Sequence, residues 1–209
     1  MKPNKSLQIL GDYASHIRAF TPNARLYLLN VIITGMVMGI FRLIFNFYAL
    51  SLGFDEALLG NLITASSFVA LIAALPMGYL ADTIGRKASL ITSSVLLAIA
   101  VIAMAIWQTE SSLYAMNVIS GLAQSLAGVT MSPFLMENSG EKERTYLFSF
   151  GQGLQMTMAA VGNWIGGYLP TWIGNAQNVS TTSSIAYGDS ILIVGIVAGI
   201  AVLPLVFIK

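Results

Sequence analysis

Residues 78–87 read GYLADTIGRK. Apolar runs flank the stretch on both sides, yet Asp82, Arg86 and Lys87 fall inside it, between and beside two glycines. Charges need water and long apolar runs need hydrocarbon, so a dense charged turn between two such runs marks where a chain leaves the bilayer and turns back. The rest of the chain fits that reading. Of 209 residues, 56% are hydrophobic and 9% are charged. Soluble domains carry about 25% charged residues, so most of this surface meets lipid. A net charge of +1 implies no nucleic-acid partner. With no cysteine, disulfides and thiolate metal or redox chemistry are excluded. No cofactor and no metal site is implied. The single histidine, His16, precedes the first apolar run and reads as a solvated surface residue.

A membrane span needs roughly 20 apolar residues. Such runs lie at about 25–52, 58–80, 88–107, 113–136, 146–170 and 188–208. The expected architecture is an all-α bundle of six transmembrane helices over 25–209, preceded by an arm at 1–24. Leu7, Leu10, Ala14 and Ile17 recur at helical spacing, so the arm is expected to hold an amphipathic helix on the membrane surface. Thr21-Pro22 reads as the N-cap and first-turn proline of span one. Lys2, Lys5, Arg18, Arg25, Arg86, Lys87, Lys142, Arg144 and Lys209 all fall on one side. The opposite loops hold Asp55, Glu56, Glu110 and Asp189 without Lys or Arg. By the positive-inside rule both termini are cytoplasmic, in a plasma (inner) membrane.

The motif also repeats. Gly78-Tyr79-Leu80 is followed by Ile84-Gly85, and Gly167-Tyr168-Leu169 by Ile173-Gly174 at the same spacing. Upstream, Asn30-Val31-Ile32 has a counterpart in Asn117-Val118-Ile119. Spans one to three therefore align with spans four to six. Three is odd, so the second triplet enters from the opposite face: two inverted three-helix repeats, a construction common in secondary transporters.

Asp82 and Arg86 are four apart and can pair if the helix continues that far. Arg86 and Lys87 alone would anchor the topology. A carboxylate beside Gly78 can do more, because it can accept from the N-terminus of a closely approaching helix in one conformation and release it in another.

The stretch resembles the signature loop between spans two and three of the major facilitator superfamily: glycine, three residues, aspartate, a basic residue, any residue, glycine, arginine, a basic residue. Gly78, Asp82, Gly85, Arg86 and Lys87 match in place, while Thr83 stands where a basic residue is usual. The resemblance implies a secondary transporter in which this loop gates access. It covers the chain only as the N-terminal six-helix half, since family members usually carry twelve spans in two halves. Gly153, Gly162 and Gly166 keep the glycine spacing of the family's antiporter motif, but Gly167 occupies its proline position. Close helix packing is the simpler account of that row. The span-four arginine of proton-coupled drug exporters is here Asn117, before Gly121, so the resemblance does not extend to those.

Arg42 is the charged residue that lies well inside a span, with no acid inside any span to pair with it. It shares a helical face with Gly35, Gly39 and Asn46. Asn117, Gly121, Gln124 and Gly128 share a face of span four, and Gln152, Gln155 and Asn163 add polar groups from span five. Arg42, Asn46, Asn117, Gln124 and Gln155 are the expected cavity residues, and Gly35, Gly39, Gly153, Gly162 and Gly166 the expected packing positions. Arg42 either binds backbone carbonyls or a carboxylate of a missing half, or holds an anionic or hydrogen-bonding solute. The expected partners are the lipid bilayer, a small solute, and a second six-span half or a homodimer partner. A membrane-embedded enzyme would need a reactive constellation that the spans lack. The other rival is a fragment or split subunit that transports nothing by itself.

Overall fold

The computed structural model describes residues 15–17 and 19–209. Its helices are α1 (Pro22–Ser51), α2 (Glu56–Ile84), α3 (Arg86–Ile106), α4 (Glu110–Glu137), α5 (Glu141–Gln177), α6 (Ser184–Ile200) and the short α7 (Val202–Val206). No strand occurs among the described residues. Hydroxyl and carboxylate side chains start four of them. Thr21, Asp55, Thr109 and Ser183 each accept from the backbone N–H three residues on, at Ala24, Leu58, Ser112 and Ala186, so each satisfies one of the orphan donors of a helix start.

Five stretches are long and apolar enough to cross a membrane: Pro22–Ser51, Glu56–Ile84, Arg86–Ile106, Glu110–Glu137 and Ser184–Val206. The chain is an all-α, multi-pass integral membrane protein. The helix expected as the fifth span, α5, is the longest at 37 residues. Gln152, Gln155, Thr157 and Asn163 make it too polar to count by composition. Gly151, Gly162 and Gly166 nevertheless lie against α1 from Leu28 to Ile40, at the depth of a span.

Two further expectations need correction. The helices overrun the predicted ends, α2 to Ile84 and α5 through Pro170 to Gln177, because a hydropathy run reports the hydrocarbon core and helices continue into the headgroup region. The last span is not one helix: α6 stops at Ile200, Ala201 turns, and α7 follows. Pro204 has no N–H to give the carbonyl four residues back. The buried Asn30 compensates nearby, its Nδ2 donating to Ala201 O at 2.7 Å. Asn30→Leu should therefore cost about 1–3 kcal/mol, the usual range for a buried carbonyl left without a donor. A detergent melt measures it, and an unchanged midpoint would mean that Ala201 O is otherwise satisfied.

The amphipathic helix expected over 6–20 falls largely outside the described residues; residues 15–17 are helical. His16 is not a solvated side chain. It stacks on Tyr146 of α5 with ring centroids 4.0 Å apart, and its Nδ1 lies 3.9 Å from Glu143.

The packing follows the repeat. The two most extensive contacts are α1 on α5 and α2 on α4, with α3 on α4, α3 on α6 and α1 on α6 next. Exchanging helices one to three with four to six turns α1–α5 into α4–α2, and α3–α4 into α6–α1. It leaves α3–α6 unchanged. The same pairing recurs in detail. Gly35 lies over Gln155 and Gly121 over Ser66, positions that the two sequence alignments bring within one residue of each other.

Gly35, Gly39, Gly162 and Gly166 all serve the α1–α5 seam. A Cβ on Gly39 would meet the carbonyl of Ala159, and one on Gly162 the carbonyl of Met36. A Cβ on Gly35 would come within 2.9 Å of Met158 Cβ, and one on Gly166 within 3.2 Å of Ile40 Cα. Gly153 differs: among the described residues nothing lies within 4 Å of its Cβ position. Two apolar clusters fill the interior. Tyr48, Leu62, Met104, Leu113 and Ile191 belong to the one away from the termini. Phe20, Leu28, Phe134, Leu147 and Leu205 belong to the one near them.

Candidate functional site

An open cleft of about 450 Å³ runs along the seam between the two repeats. Its walls are α1 from Tyr27 to Arg42, α3 from Leu90 to Leu97, α4 from Ala123 to Met131 and α5 from Gln152 to Met156. On α3, α4 and α5 the lining lies between the helix middle and the end near Phe20 and Lys209. On α1 it continues past the helix midpoint to Arg42.

Arg42 stands at the deep end. Its side chain is exposed to the cleft and has no hydrogen bond or ion pair among the described residues. Gln124 lines the cleft near the middle of α4, its Nε2 donating to Ser120 Oγ at 3.2 Å. Gln152 and Gln155 line it from α5. Asn46 is exposed one turn beyond Arg42 and lies outside the lining. Asn117 is the clearest departure from expectation. It is buried and gives its amide to Leu113 O at 2.9 Å, away from the cleft. Counting turns places it on the face of Gln124, but the repeat puts it at the opposite membrane depth.

Residues that spacing arguments passed over also line the cleft: Thr34 and Met38 on α1, and Ser93 and Ser94 on α3. The signal for α3 was present as adjacent serines in an otherwise apolar run.

The charged turn sits at the end of the bundle that carries Asn23 and Lys209. α2 does not continue to Arg86. It stops at Ile84, and Gly85 takes φ 85°, a left-handed value that favours glycine. Asp82 and Arg86 pair all the same, across the turn: Arg86 Nη1 donates to Asp82 Oδ1 at 2.6 Å. Arg86 Nε donates to Glu137 Oε1 at 3.3 Å. Glu137, which ends α4, was not foreseen. The guanidinium thus ties the end of α2 to the end of α4 from the start of α3. Lys87 Nζ donates to Ile208 O at 2.5 Å. Beside it, Asn23 Nδ2 donates both to Asn138 Oδ1 at 2.9 Å and to Lys209 O at 3.0 Å. No atom lies within 4 Å of a Cβ placed on Gly78, so the face of α2 beside Asp82 remains open to a neighbour.

Residues 27–209 match the family model described as Major Facilitator Superfamily. No curated protein matches the chain.

Proposed function

The chain belongs to the major facilitator superfamily, a family of transporters, and on that premise we propose that it carries a small solute by alternating access, forming one six-span half of the transporting unit. The observation that carries this reading is the cleft on the seam between the repeats. Transporters built from inverted repeats bind at the repeat interface near the bilayer midplane, the level that this reading gives to Gln124 and Arg42. The α1–α5 contact supports counting α5 as a crossing as well. The basic residues at one end of the bundle support cytoplasmic termini in a plasma (inner) membrane. The Asp82–Arg86–Glu137 cluster would hold that end together in one state. In the outward-facing state Asp82 would exchange Arg86 for a helix N-terminus of the opposing half, closing that end of the cleft.

The cleft is open, which favours a second six-span half, as a separate subunit, a continuation or a second copy. It equally supports the rival reading of a chain that binds a partner and transports nothing alone. Proteoliposome uptake tests both. The chain with its second half should accumulate solute, and the chain alone should not. Uptake by neither would leave the partner-binding reading.

The open faces of α2 and α5 also predict how the isolated chain behaves. Leu71, Leu75 and Tyr79 on α2 and Trp164 on α5 are among its most exposed large apolar side chains. In detergent the chain alone should self-associate or unfold. A monodisperse, heat-stable monomer by light scattering would count against a missing half.

A further inference from the structure

We propose that the ligand of the cleft is an organic monoanion with an apolar body, its carboxylate held by Arg42 at the deep end. This rests on the cleft being the transport site. Among the described residues Arg42 is the one charged side chain that this chain gives to the lining. A single guanidinium balances a single negative charge, and a multivalent anion would leave charge uncompensated in a low-dielectric site. The fork of the guanidinium matches a carboxylate with two parallel bonds. With no partner among the described residues, an arginine at this depth is the costly state, and an arriving anion relieves it.

The remaining lining sets the rest of the molecule. Gln124, Gln152 and Gln155 offer neutral amides, and Met38, Met131 and Met156 offer thioethers. Methionines shape themselves around irregular apolar groups. The α1 lining from Tyr27 to Arg42 spans about 22 Å at 1.5 Å per residue, room for a chain or ring below the carboxylate. The cleft of about 450 Å³ lies within the roughly 300–1,000 Å³ typical of small-molecule sites.

The test uses the protein purified from its native membrane, with any second six-span unit it carries, in nanodiscs. Octanoate and phenylacetate, their neutral amides, and inorganic phosphate are titrated calorimetrically at fixed ionic strength. The acids should bind, the amides should bind at least about tenfold more weakly, and phosphate should give no heat. Arg42→Lys should weaken the acids about tenfold, and Arg42→Gln should remove their binding. The proposal is overturned if no acid binds, if amides match acids, if phosphate binds more tightly, or if Arg42→Gln keeps full affinity. It is also overturned if Arg42→Gln specifically loses a partner subunit, since Arg42 is then paired with that subunit's carboxylate. The acid-against-amide comparison uses the unaltered protein and holds even where a variant fails to fold. Transport is read separately. Acids that bind without being carried sink the transport reading and keep the anion site. Neutral solutes carried equally by Arg42→Gln sink the anion site and keep transport.

Discussion

Replacing Gly39 with leucine should unseat α1 from α5 and leave little folded protein. The atom in the way is the backbone carbonyl of Ala159, which has no rotamer to escape into. The reciprocal contact of Gly162 with the carbonyl of Met36 lies on the same seam, so the two helices must part along several turns. Helix association in lipid runs on van der Waals contact and close approach, with little help from the hydrophobic effect. Overpacking alone costs about 1–3 kcal/mol, and the lost glycine contacts add to that. Gly199→Leu is the control, because nothing lies within 4 Å of its Cβ position. Size-exclusion profiles and melts of the two variants should differ sharply. Equal recovery would mean that the α1–α5 contact is not what holds the bundle.

The second large effect belongs to Asp82→Asn in the complete transporter. Within this chain the change should matter little. Asp82 is 68% exposed, and exposed ion pairs are worth about 0–1 kcal/mol. Docked against a helix N-terminus of the opposing half, the same carboxylate is worth about 0.3–2 kcal/mol. Its loss should move the conformational equilibrium toward inward-facing by up to about thirtyfold, with insertion and orientation kept. The chain has no native cysteine, so a single introduced cysteine reports accessibility without background. Glu137→Gln separates the two partners of Arg86. It should loosen the turn without removing the docking group, and so shift the equilibrium less. Unchanged labelling in Asp82→Asn would reduce Asp82 to a topology residue.

Much of this was legible in the sequence because membrane insertion imposes coarse rules. Hydropathy located the five apolar crossings, and the GYL and NVI repeats anticipated which helices embrace. The α1–α5 and α2–α4 seams are what an exchange of triplets predicts. Gly35, Gly39, Gly162 and Gly166 were readable as packing positions because only a missing Cβ allows such approach. Gly153 shows the limit of that argument: glycine spacing says that a face can approach another and not that it does so within this chain. Asn117 failed for a different reason. A helical wheel gives azimuth without depth, and the inverted repeat places Asn117 opposite Asn30 along the membrane normal. Glu137 was missed because its role arises from a long-range contact, Arg86 reaching a helix end that sequence distance does not bring near. The break at Ala201 needed both Pro204 and the donor from Asn30, and only the first is local.

The central claim is that the cleft opens alternately to the two sides of the membrane. Single cysteines at Ala127, inside the cleft, and at Asn46, one turn beyond Arg42, test it most directly in the chain paired with its second half. An impermeant maleimide is added from one side at a time, with and without solute. The account predicts that Ala127→Cys labels from the cytoplasmic side and Asn46→Cys from the outer side. Any condition that slows one should speed the other, and Asp82→Asn should raise the first while lowering the second. If both positions label from one side only, or change independently of each other, the cleft is not an alternating-access site.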